Sequence, residues 1–154
     1  MRIVEDSSLV LHVRDADGVL LAMIVRANFS VDGLSFLTDD SSVLQVGYMT
    51  RPTGETIAAH IHEPLMRNIL GTQEVLVIQS GKIRLDLFTQ RQDYVESVML
   101  ETGDLALLSE GGHGIHVIEE ARIIEIKQGP FAEGKDKTRF EPVLIESPDH
   151  SDTI

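Results

Sequence analysis

The stretch Lys82-Ile83-Arg84-Leu85-Asp86-Leu87 decides the fold. Ile83, Leu85 and Leu87 alternate strictly with Lys82, Arg84 and Asp86, the period of two that gives a β-strand one buried and one wet face. A helix would scatter the same apolar side chains around its axis. Working outward, apolar runs rich in β-branched residues lie at Leu9 to Val13, Val19 to Val25, Val43 to Met49, Ile57 to Ile61 and Val75 to Ile78 on one side. On the other they lie at Val95 to Leu100, Leu105 to Leu108, Ile115 to Ile118 and Ile123 to Ile126. Turn formers separate them. Asp17-Gly18 suits a tight hairpin, Arg51-Pro52-Thr53-Gly54 and Ser80-Gly81 supply Pro and Gly where strands are expected to reverse, and Gly111-Gly112 opens dihedrals closed to other residues. Many short, evenly spaced strands predict an all-β sandwich or barrel. One helical turn is expected, Glu63 to Leu70, inside a connection.

At 154 residues the chain is expected to form one domain. Residues 1–130 carry the strand pattern, and 131–154 read as a tail packed on the barrel and fraying at its end, since three of the five prolines fall from Gly129 onward. Thirteen Lys and Arg against 25 Asp and Glu leave a net charge of -12, which repels phosphate backbones and anionic membranes. Neither nucleic acid nor membrane is therefore an expected partner. Cys is absent, which removes disulfides, thiolate nucleophiles and Cys-ligated metals. The longest apolar run, Val19 to Val25, is far short of the ~20 residues of a membrane helix, and Glu5 and Asp6 stand where a signal segment would be apolar. The expected compartment is the cytoplasm. Phosphate loops, dinucleotide fingerprints and serine elbows are missing, which leaves nucleotide hydrolysis, nicotinamide redox chemistry and serine hydrolysis without a basis.

The histidines point to a metal. His60 and His62 flank Ile61 in an expected strand, so period-two geometry puts both imidazoles on one side. Glu74 opens the apolar strand Val75-Leu76-Val77-Ile78, where a buried carboxylate needs a cation to offset its desolvation. Neutral imidazole and carboxylate suit a divalent transition metal: zinc, iron, manganese, nickel or copper. His113 and His116 compete for a further ligand position, because residues three apart in a strand face opposite sides. His12 and His150 carry no spacing signal.

The stretch Gly54, five residues, His60-Ile61-His62, Glu74, six residues and Gly81 resembles the first cupin motif, and Gly103-Asp104 with Leu105 to Leu108 and Gly111-Gly112-His113-Gly114 resembles the second. Three departures stand out. The spacer between His62 and Glu74 is eleven residues where three or four are usual, Ser109 replaces a common proline, and the second-motif histidine comes one residue early at His113. The run Ile126 to Phe131, with Asp136-Lys137 and Arg139-Phe140, resembles a subgroup of small single-domain cupins, some of whose relatives are connected with sugar metabolism. The resemblance implies a double-stranded β-helix, a jelly-roll-like barrel of two antiparallel sheets. It also implies a metal held by His60, His62, Glu74 and His113, with His113 favoured over His116, and a homodimer, for which the N-terminal strands offer apolar edges.

The implied function is a metal-dependent enzyme of the isomerase, epimerase or dioxygenase type, acting on a small polar metabolite such as a sugar or sugar-derived acid. A proton-transferring base would come from Glu63, Tyr48 or His116, the nearest candidates in sequence. Arg51 and Arg67 are candidates for holding a substrate carboxylate or phosphate, against the ordinary reading of surface ion pairs. The alternative is a non-catalytic module that binds or senses a metal or small ligand.

Overall fold

The structure, a computed structural model, describes residues 7–132 and 134–143. Eight strands make up its regular structure: β1 (Val10–Arg14), β2 (Leu20–Val25), β3 (Gly33–Phe36), β4 (Gly47–Thr50), β5 (Glu74–Phe88), β6 (Tyr94–Glu101), β7 (Leu105–Leu108) and β8 (Gly112–Lys127). The all-β expectation holds. Six strands form one antiparallel sheet in the order β1-β2-β7-β5-β6, with β8 on the other flank of β5, while β3 and β4 pair separately. No helix among the described residues is long and apolar enough to cross a membrane.

The sheet curls into a half-barrel about β5. Ile83, Leu85 and Leu87 project into the curl with Leu76, Ile78, Ile24, Leu100 and Leu108 as the inner core. Val75, Met23, Val25 and Leu107 project the other way and are covered by Phe29, Leu37 and the β3–β4 layer as an outer core. The alternation read at Lys82 to Leu87 thus separates the inner core from a polar side of β5, whereas at Val75 to Ile78 successive apolar side chains serve the two cores in turn. Where the β6–β7 turn meets the segment after β2, the buried Asp104 accepts hydrogen bonds from the backbone N–H of Ala27 and Glu101 and pairs with Arg26 at 2.8 Å. Three donors on one carboxylate offset the cost of burying its charge.

Several boundaries differ from those expected. Val75 to Ile78 and Ile83 to Leu87 belong to one strand: Ser80-Gly81 bends the chain without reversing it, and β8 shows a matching irregularity from Glu119 to Arg122. Gly81 has φ +86°, and a side chain there would lie 2.1 Å from the Glu120 carbonyl oxygen. The two apolar runs at Ile115 to Ile118 and Ile123 to Ile126 join in β8 for the same reason. β3 lies in a stretch that the apolar pattern did not mark.

The largest departure is the connection from β4 to β5. Residues 51–73 contain neither the strand expected at Ile57 to Ile61 nor the helical turn expected at Glu63 to Leu70, and all but the last lie exposed. A lone strand has no ladder partner to repay its ordering, so apolar alternation cannot form one by itself. In the segment after β8, Phe140 meets Phe88 edge-on at 5.2 Å.

Candidate functional site

Cross-strand pairs share a face of the sheet, which settles where the β8 histidines point. His113 pairs with Leu87 of the inner core, and Ile115 and Val117 follow on the same face opposite Leu85 and Ile83. His116 pairs with Arg84 and faces the opposite way. Glu74 pairs with Leu108 on β7 and Lys127 on β8, and Leu108 also belongs to the inner core. Two positions far apart in sequence therefore meet inside the curl.

The result is a small charged cluster at the rim of the inner core. His113 Nε2 lies 3.3 Å from Glu74 Oε2, while Lys127 Nζ and Lys137 Nζ lie 3.6 and 3.8 Å from Glu74 Oε1. Lys127 also binds Glu125 at 2.9 Å. Only 6% of Glu74 is exposed, so its carboxylate depends on these cations for the solvation it has lost. Burial is the main cause holding the His113 imidazole below its ordinary pKa; Lys137 and Lys127 push the same way, while Glu74 and Glu125 oppose them. The imidazole is thereby kept neutral, with a lone pair to offer. Lys127 is held above its ordinary value chiefly by its hydrogen bond to Glu125, and Glu125 is held below its own by the same bond.

The other candidates lie elsewhere. His60 and His62 sit on the exposed connection, their rings 5.2 Å apart and nearly perpendicular, with His60 Nδ1 at 2.9 Å from the Ala58 carbonyl oxygen. Among the described residues no three His, Asp or Glu side chains gather as a metal cage would require. The four ligands expected from sequence thus fall into two pairs. Tyr48 packs edge-on against Phe29 in the outer layer, at 5.1 Å. Glu63 and Arg67 are exposed on the connection, and Arg51 pairs with Glu55 at 2.8 Å. His12 is on β1, opposite Met23 of β2, and His150 lies outside the described residues.

Lys127 and Lys137 were not singled out as site residues from sequence. Lys127 ends a strand whose inward positions are set by the register with β5, and Lys137 reaches Glu74 from a segment without strand or helix. The available signal was their place in the stretch from Ile126 to Phe140, which carried part of the family resemblance. Beside the cluster, Gln73 N–H donates to Gln128 Oε1 and Gln73 Nε2 donates to Ser109 Oγ, while Gln73 Oε1 and Gln128 Nε2 are buried without a partner among the described residues. Compared with known protein families, curated proteins and solved structures, the chain matches none.

Proposed function

We propose that the chain is a metal-dependent cupin enzyme, a double-stranded β-helix acting on a small polar metabolite such as a sugar or sugar-derived acid. The observation that carries this reading is the contact between Glu74 and His113 inside the curl. An imidazole kept neutral beside a buried carboxylate supplies two donors of the type and protonation state that a first-row transition ion takes. His60 and His62 are the remaining donors, and they lie apart from this pair within one chain. When bound, such an ion would supply Lewis acidity toward a substrate oxygen.

Lys127 and Lys137 bring two ammonium groups to the curl, balanced by the carboxylates of Glu74 and Glu125, and an acidic substrate would reach them by taking the place of Glu125 on Lys127. Ile115 and Val117, facing inward on β8, give the entrance an apolar wall. One observation favours the second reading, a module that binds or senses without turnover. Tyr48 belongs to the outer core, His116 faces away from His113, and Glu63 is exposed on the connection, so none of the three expected bases stands in the described cluster.

Elemental analysis and Co(II) titration of the full chain test the metal. About one ion per chain is expected for a mononuclear site. It should be lost in His60→Ala/His62→Ala and in Glu74→Gln/His113→Asn; a wild-type chain that takes up none sinks the enzyme and the metal-sensing module and leaves only a module for a small ligand. Turnover with aldoses, ketoses, sugar acids and sugar phosphates, followed with and without dioxygen, then separates enzyme from binding module.

A further inference from the structure

β8 is a long strand with one free flank. It pairs with β5 alone, so the other side of its 16 residues offers unpaired backbone donors and acceptors among the described residues. Its inward-facing Ile115 and Val117 are 42% and 55% exposed, although Leu85 and Ile83, their neighbours on β5, are fully buried. The inner face of the half-barrel is thus apolar and uncovered where it reaches this flank. Exposed, long, apolar edges recruit another strand.

The same chain carries a segment suited to that role. In residues 51–73 the apolar Ile57, Ile61, Leu65, Met66 and Leu70 are all exposed, Leu70 completely. Hydrogen bonds and ion pairs of the side chains from Arg51 to Leu70 remain inside the segment among the described residues. Thr56 to His62 alternates as a strand does, with His60 and His62 on one side and Ile57 and Ile61 on the other. At the root of this arm, Gln73 Oε1 is buried without a partner among the described residues, as is Gln128 Nε2 just beyond the end of β8. Arm and edge are therefore both incomplete in the single chain, and each has what the other lacks.

We infer that two copies of the chain exchange these arms, the 51–73 segment of each adding to the free flank of β8 of the other and bringing His60 and His62 to the Glu74–His113 pair. A two-fold exchange satisfies both edges and covers both arms with one self-complementary contact. It also places the dimer contact at β8 in place of the N-terminal strands. The edge pairing stands on the exposed surfaces alone, whereas the composite metal centre rests on the proposed metal-dependent function.

Three measurements on the full-length protein test this inference. Light scattering at micromolar concentration should give two copies for the wild type and one for Ile61→Asp/Met66→Asp/Leu70→Asp, with the same far-ultraviolet circular dichroism; a wild-type monomer overturns the exchange. The absence of cysteine allows a clean cross-link: Ile61→Cys/Val117→Cys treated with a short bismaleimide should become a covalent dimer. An internally linked monomer, or no link, overturns the exchange whatever the metal does. Finally, His60→Ala/His62→Ala and Glu74→Gln/His113→Asn are unfolded together and refolded as a mixture. Each alone should bind no Co(II), and the mixture should recover about one quarter of the wild-type amount, because half the random dimers carry one intact composite centre. No recovery, with Co(II) bound by the wild type, means that the ligands come from one chain and overturns the composite centre. A covalent dimer whose wild-type parent binds no Co(II) removes the metal function and leaves the exchange standing.

Discussion

The two flanks of β5 have different surroundings. On one, β7 and β6 continue the sheet, β2 and β1 extend it, and the N-terminal half is packed on both faces by the inner and outer cores. On the other, β8 follows β5 for its whole length with no further strand beyond it among the described residues, and Ile124 and Ile126, on its outward face opposite Val77 and Val75, stay half-exposed. The sequences of the two flanks look alike, rich in Ile, Val and Leu. Period-two alternation tells which way a side chain points; it does not tell whether another layer lies there.

The widest separation between the flanks should appear in stability. Ile24 on β2 is fully buried in the inner core, so Ile24→Ala removes packed methyl groups and leaves a cavity, at a cost of about 2–5 kcal/mol. Ile124→Ala on the outward face of β8 should cost within about 0.5 kcal/mol, as surface changes do. Urea titration measures both. Equal losses would mean that the outer face of β8 is covered in solution and that the contrast between the flanks is not real.

Gly81 sharpens the comparison, because its bend lets one strand serve both halves of the curl. Ala there must hold φ +86° and drive a methyl group into the Glu120 carbonyl, whereas Gly18 at φ +82° in the β1–β2 turn has open space around it. Gly81→Ala should cost about 3 kcal/mol, from strain together with collision. Gly18→Ala should cost about 1 kcal/mol, from the left-handed backbone alone. If the two variants melt together, the bend at Gly81 relaxes without the β8 backbone opposing it.

These contrasts mark how far the fold and the site are legible in the sequence. β2 and β7 can be read because each carries an uninterrupted apolar run of the right length. The union of the two apolar runs of β8 cannot, since Glu119, Glu120 and Arg122 interrupt them and Ser80-Gly81 signals a reversal locally, which becomes a bend only when β5 and β8 pair. At the site, the grouping of Glu74 with His113 is what the family resemblance implies; strand register alone leaves them at opposite ends of the β5–β8 pair, and the curl brings them into contact. The position of Ile57 to Ile61 does not follow, because its alternation describes a surface waiting for a partner and says nothing of which chain provides it. Lys137 is out of reach for another reason: no period governs a tail without regular structure.

The smallest effect concerns His113, a titrating group by which the open flank meets the inner core. Burial, aided by Lys137 and Lys127, places its folded-state pKa below the ordinary value, so the folded chain holds fewer protons than the unfolded chain between the two values. Above about pH 6.5 both states carry a neutral imidazole and the contribution is flat. As the pH falls through that value the unfolded state takes up the proton first, and stability is lost until the folded-state value is passed. His113→Gln removes the titration while keeping a polar side chain. In chelator-treated protein, the urea midpoint of the wild type should therefore fall more between pH 7.5 and pH 5 than that of the variant, and the difference removes the common titration of the many carboxylates. Parallel midpoints would show that His113 is as well solvated folded as unfolded, and the rim beside Glu74 would then be as open as the outward face of β8.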